Sequence, residues 1–350
     1  MKINNLAAIK NILLFFLFIT IFVIMAELSA ILIPFVLATL LAISFQPLII
    51  LLKNKNFPDW IIVPIVALIS FLAIYGIYSI VTSMYFDILQ NREFLLRKLS
   101  ERILDLTTFI NEITSDSYNI KYSIDEFLAI FNQDLFSKYG SILANLLGSF
   151  TGSFSLFLIF YILILVGITN YKRYLNFVAG EVEKNTLLSN FETVQRAIYS
   201  YIIIKILISF LTGMIVFITC LIFQINFALF WGFLIFILNF IPSLGSIVGS
   251  IPPILMCFIQ YDSFNVTLLF FVIIATLQFM MGNFIEPRIL GSRLQLNTLS
   301  VVFGLVFWGY LWGIPGMLVA VPLLVLMKLI FEQFPSTRIL ARVMGTSKLL

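Results

Sequence analysis

The sequence predicts an all-α fold, a polytopic transmembrane helical bundle. Three observations carry this: an excess of apolar residues, their arrangement in long unbroken runs, and the confinement of charge to the gaps between them. Of 350 residues, 61% are hydrophobic and 11% charged, with a mean hydropathy of +1.09. A soluble domain carries roughly a quarter charged residues and about half apolar ones. A water-soluble fold of this length has nowhere to put the excess, whereas a bilayer does. The apolar runs are continuous, without the alternation of barrel strands, which favours helices.

The runs cover 11–26, 28–52, 60–82, 141–169, 197–222, 227–259, 264–285 and 299–331, about eight hydrophobic segments. Lys2 and Lys10 before the first run give it the outline of a signal peptide. No small-x-small site follows, so the run is expected to remain as a span. Glu27 separates the first two runs and predicts a tight helical hairpin there. Lys53, Lys55, Pro58 and Asp59 close the second run, and Lys172 and Arg173 follow the fourth.

The large polar insert, 83–140, is itself helical in pattern. Leu95, Leu99, Ile103, Leu106, Ile110 and Ile113 recur at spacings of four and three, one apolar stripe on a helix continuing from the third span. Ser123 with Glu126 makes a capping box for a second helix carrying Ile124, Leu128, Phe131 and Leu135. The stripe is expected to pack within the protein, and it also suits a homo-oligomer or a lipid surface. The expected organisation is N-terminal transmembrane helices (1–82), an extramembrane amphipathic insert (83–140), a C-terminal transport core (141–335) and a cytoplasmic tail (336–350).

Two runs do not suit single helices. Residues 227–259 would form a rod of about 50 Å against a hydrocarbon core of about 30 Å. Proline and glycine break both: Asn239-Phe-Ile-Pro-Ser-Leu-Gly245 with Gly249 and Pro252-Pro253, and Gly313-Ile-Pro-Gly316 with Pro322. Each is expected to fold back as a hairpin, either re-entrant or as paired short spans. Charge supports this. With the N-terminus inside and both broken runs returning to the side they left, Lys53, Lys55, Lys172, Arg173, Arg288, Arg293, Arg338 and Arg342 all fall inside, as the positive-inside bias requires. Both termini are then cytoplasmic.

Composition narrows the chemistry. There is no histidine, and Cys220 and Cys257 both sit in apolar runs. A zinc site, a His-based triad and a disulfide framework are therefore not expected. No Ser-His, Cys-His or paired Asp arrangement stands at membrane depth, so no enzyme and no cofactor is predicted. The net charge of +4 comes without an aromatic-interleaved basic block, so no nucleic acid is expected as a partner. The expected partners are membrane lipid and a small solute or ion.

Paired discontinuous helices are the best sequence pointer to a transport pathway. Asn239, Pro242, Gly245, Pro315 and Gly316 are the leading candidates, because a break frees peptide groups that can face a solute. Such residues also serve as ordinary kinks and close contacts in membrane bundles. Lys205 lies about two turns into its run and suits either a charge role or snorkelling to the headgroups, the latter favoured. Asn283, Glu286 and Arg288 end the seventh run, as an inner gate or a solvated cluster. Gln278 suits a cavity lining or an interhelical hydrogen bond.

The C-terminal half resembles a known family. Asn239-Phe-Ile-Pro-Ser-Leu-Gly245 with Ile251-Pro-Pro253, then Gly282-Asn-Phe-Ile-Glu-Pro-Arg-Ile-Leu-Gly291, then Gly313-Ile-Pro-Gly-Met-Leu-Val-Ala-Val-Pro322 are similar in order and spacing to the autoinducer-2 exporter family, the PerM or TqsA-like permeases. The resemblance implies a bacterial inner-membrane permease with eight hydrophobic segments. Members are linked to export of autoinducer-2 and, in other cases, to sodium/proton antiport. This sequence departs from the family pattern at Met281, where Glu is usual, at Lys205, where Gln is usual, and at Leu296-Asn-Thr298, where Leu-His-Pro is usual. Proton coupling needs a titratable group in the pathway. Glu286 is the nearest substitute here. The expected function is export of a small polar solute by alternating access. The alternatives are a cation/proton antiporter on the same scaffold and a non-transporting scaffold acting through 83–140.

Overall fold

A computed structural model describes residues 5–114, 154–170, 184–242, 244–290 and 296–345. The second helix of the insert, expected at 123–135, lies outside the described residues. Among the described residues the apolar runs are helical: α1 (Asn5–Glu27), α2 (Ser29–Ser44), α3 (Gln46–Asn54), α4 (Asp59–Gln90) and α5 (Arg92–Thr114), then α6 (Phe154–Asn170). There follow α7 (Lys184–Ile222), α8 (Ala228–Leu238), α9 (Leu244–Gln260), α10 (Phe264–Met280), a π-helical turn (Met281–Ile285), α11 (Glu286–Leu290), α12 (Thr298–Gln333) and α13 (Arg338–Met344). The described residues contain no strand beyond one isolated bridge, Leu296 to Gly345.

Among the described residues, four helices are long and apolar enough to cross a membrane: Asp59–Ser83, Glu192–Ile222, Phe264–Ile289 and Thr298–Gln333. The pair Phe15–Glu27 and Ser29–Ser44, bent by 83° at the Glu27 break, counts as a fifth if taken as one span. Phe154–Asn170, Ala228–Leu238 and Leu244–Gln260 are shorter apolar helices.

The chain divides into two compact units. The first comprises 1–66, 151–202 and 292–350, and the second 67–150 and 203–291. In the first, α12 packs on α1, α2 and α13. The Trp312 indole N–H donates to the Met25 carbonyl at 3.0 Å, and Phe22 meets Phe307 edge to face. Lys53 donates to the Thr169 carbonyl at the end of α6 and lies 3.4 Å from Asp59.

Although α12 is hydrogen-bonded along most of its length, it is two arms rather than one rod. Gly313 has φ 65° and ψ −145°, a conformation closed to other residues without strain. A Cβ on Gly309 would meet the Met317 side chain at 2.7 Å, and one on Gly304 would run into the side chain of Leu324. In a straight helix residues 304 and 324 would stand about 30 Å apart. The contacts pair residues symmetrically about Gly313, so the second arm returns antiparallel along the first.

The second unit holds the other broken run. The helices α8 and α9 pack on each other, with Gly249 against Ile235 and Leu238, and Gly245 against the Leu238 carbonyl. That pairing is again antiparallel. Below it lies a core of Val216, Cys220, Trp231, Ile235, Cys257 and Phe270. The insert helix α5 docks here through Leu95, on the same core, and through Arg102, whose guanidinium pairs with Asp105 and Asp262. Of the stripe, Leu95 is thus seen packed within the protein. The expected uninterrupted passage from third span to insert is broken once, at Asn91, whose side chain caps the Asp87 carbonyl at 2.7 Å.

Candidate functional site

The second unit concentrates polar side chains along one face of α7. That helix exposes Ile203, Ile206, Leu207, Phe210, Leu211 and Met214, and buries Lys205, Ser209 and Thr212. The spacing i, i+4, i+7 puts the three on one stripe. A membrane helix turns its apolar side to lipid because lipid cannot hydrogen-bond, so buried polar residues on the inner stripe mark where the protein supplies its own partners.

Each member of the stripe has a partner. Thr212 bonds back to the Ile208 carbonyl at 2.7 Å. The Asn239 side chain, 6% exposed at the C-terminal end of α8, donates to the Ser209 hydroxyl at 3.0 Å. One turn further along α7, past the end of α8, the Lys205 ammonium pairs with the Glu286 carboxylate. Lys205 is 1% exposed and the Glu286 side chain 17%. The expectation that Lys205 snorkels is thus corrected: a partner inside the unit was available, and burial with a carboxylate replaces the reach to the headgroups.

Backbone sets the position of Glu286. The turn before it is π-helical, a form found mostly as single turns at functional sites. Pro287 has no N–H, so the carbonyl four residues back loses its helical donor and the turn widens. Met281, within the wide turn, packs with Ile204 and Ile208 beside Lys205.

The other candidates divide. Both Gln278 amide atoms are buried and have no hydrogen-bond partner among the described residues. Asn283 is exposed and bonds back to the Phe279 carbonyl, and Arg288 is exposed on α11. Pro242 and Gly245 form the bend between α8 and α9. The sequence predicts bare peptide groups at this bend, and five of its described N–H groups are taken instead. The N–H groups of Asn239, Phe240, Ile241, Leu244 and Gly245 all donate to carbonyls within the turn. A tight turn satisfies its own backbone, so side chains rather than peptide groups present polarity here. Pro315 and Gly316 belong to the α12 hairpin of the first unit. There the buried Trp308 indole N–H lacks a partner among the described residues.

Sequence reading missed Ser209 and the pairing of Lys205 with Glu286. The i, i+4 spacing from Lys205 was the available signal for Ser209. The first unit holds another unforeseen feature, a cavity of about 430 Å³. Its lining is apolar, from Phe35, Ile43, Ile164 and Pro322, apart from Thr39 and Gln195, which is 3% exposed.

Among the described residues no three His, Cys, Asp or Glu side chains gather as metal ligands. Interrupted helices in an apolar bundle are a pointer to a transporter's binding site. A profile of the AI-2E family transporters matches residues 11–336. The chain belongs to the AI-2E transporter family. It is an integral membrane protein with a permease role. A Haemophilus influenzae protein, provisionally named as a transport protein, is 27% identical to this AI-2E family chain over 323 residues, 91% of this chain and 90% of that one. The AI-2 transport protein TqsA of Escherichia coli K12 is 40% identical over 143 residues, 40% of this chain and 41% of its own. A Borreliella burgdorferi protein, also provisionally named for transport, is 37% identical over 160 residues, 45% of this chain and 44% of its own.

Proposed function

We propose that this AI-2E family chain is a bacterial inner-membrane permease, not an enzyme, that exports a small polar solute by alternating access, with both termini cytoplasmic. One observation carries the reading: Lys205, Ser209 and Asn239 are buried beside the α8–α9 bend of an otherwise apolar helical unit, with the partly buried Glu286 paired to Lys205. Burying polar groups costs free energy unless they are paired, and membrane proteins retain them where a solute must pass. Gln278, with an amide that both donates and accepts, offers a solute hydrogen bonds that none of the described residues takes. AI-2, the molecule in the name of the Escherichia coli relative, is the first solute to try.

The test is flux in liposomes reconstituted with purified protein, over a panel of small polar solutes with AI-2 included. Protein-dependent movement of one class is expected. Gln278→Leu should cut its rate about tenfold or more, leaving the melting temperature unchanged or higher because an unpaired amide is removed. Absence of flux with every solute, together with loss of a cellular phenotype on deleting 83–140, would favour the scaffold role instead.

A further inference from the structure

Between Arg196 and Glu286 the sequence holds two charged residues, Lys205 and Asp262. Asp262 is exposed at the α9–α10 turn and pairs with Arg102. Lys205 is therefore the one charge in α7 beyond Arg196 and in the apolar helices α8, α9 and α10, and it is 1% exposed. A lysine in such a place is retained only if something there requires a positive charge.

What requires it is Glu286. The geometry points to Lys205 as a tethered counter-cation: its ammonium occupies the place beside the Glu286 carboxylate that a proton or a monovalent metal ion would otherwise fill. Among the described residues, Lys205 is the cation paired with Glu286. From α7 the groups facing the pair are Ile204, Ile208 and Lys205 itself, and from the π turn, Met281. On the element of Glu286, Arg288 is exposed two residues on. In α5, Arg97 and Lys98 pair with Glu101.

The consequence concerns energy coupling, and this part rests on the permease reading above. A carboxylate in a transport pathway couples to a cation gradient when it must bind and release that cation in each cycle. With an ammonium fixed to the same chain, the charge is neutralised throughout, and the carrier runs down the gradient of its own solute. Lys205 is thus a specificity-determining residue, one that excludes cation coupling and disfavours the antiport alternative.

The experiment compares thermal unfolding of the purified full chain with that of Lys205→Met, Glu286→Gln and the double variant. Each is measured in sodium, lithium or choline chloride at one ionic strength, and from acidic to neutral pH. For the wild type, the midpoint should be the same in the three salts. Lys205→Met leaves a buried unpaired carboxylate. Its midpoint should rise by about 5 °C or more with sodium, lithium or acid, since either cation binding or protonation removes the uncompensated charge. The double variant should lose that response and melt higher than Lys205→Met. If Lys205→Met cannot be purified at neutral pH, its recovery in acid or through the second substitution is the same result, and recovery by neither overturns the proposal. A wild type whose midpoint follows sodium or lithium, or a Lys205→Met indifferent to all cations and to acid, also overturns it. These readouts contain no flux, so their failure leaves the permease reading standing, and a chain that moves no solute leaves the counter-cation assignment standing.

Discussion

Gly245 and Gly316 occupy equivalent places, one in each hairpin, and both exist to let the returning arm close. A Cβ on Gly245 would land on the Leu238 carbonyl, and one on Gly316 on the Trp308 carbonyl. The obstacle in each case is backbone, which cannot swing aside as a side chain can. Gly245→Ala and Gly316→Ala should each lower stability by about 1–3 kcal/mol, read as a melting temperature several degrees lower in detergent. An unchanged melt for either would mean that its arms do not close as described. At this scale the sequence was legible for glycine and proline, whose conformational roles are local. It was less so for Lys205: its position at depth was visible, but whether it turned outward or inward depended on a partner 81 residues away.

The helical elements show where length and periodicity stop being sufficient. By length and composition, Thr298–Gln333 qualifies as one span. The Pro/Gly break at 313–316 predicts a fold-back there, and the left-handed turn at Gly313 with the contacts across it shows the two arms. Cross-linking distinguishes the two. In a Cys220→Ala, Cys257→Ala background, Gly304→Cys with Leu324→Cys should form a disulfide under mild oxidation, seen as a mobility shift reversed by reductant. A single rod separates those positions by about 30 Å, far beyond disulfide reach. The π turn before Glu286 was equally invisible in pattern, although Pro287 signals a missing donor. The bend at 239–245 was read from sequence as a source of free peptide groups. Five of its described N–H groups bond to local carbonyls, and the Asn239 side chain bonds to Ser209 instead of standing free.

For the whole molecule, the charge distribution makes a topological prediction that a membrane-impermeant thiol reagent can check. A cysteine replacing Pro242 should react with reagent added from outside. One replacing Pro315 should react from the cytoplasm. Labelling of both from the same side would overturn the inside placement of the termini, and inertness of both would remove solvent from the two bends. Membrane residence, helical class and the two broken runs followed from the sequence alone, because a bilayer imposes its thickness and its intolerance of unpaired polar groups directly on the pattern of residues. Which polar side chains meet is a different matter. The pairing of Lys205 with Glu286 and of Ser209 with Asn239, and the side-chain contacts on which the predicted α12 hairpin closes, join residues far apart in the chain. No local pattern encodes those, and tertiary packing decided them.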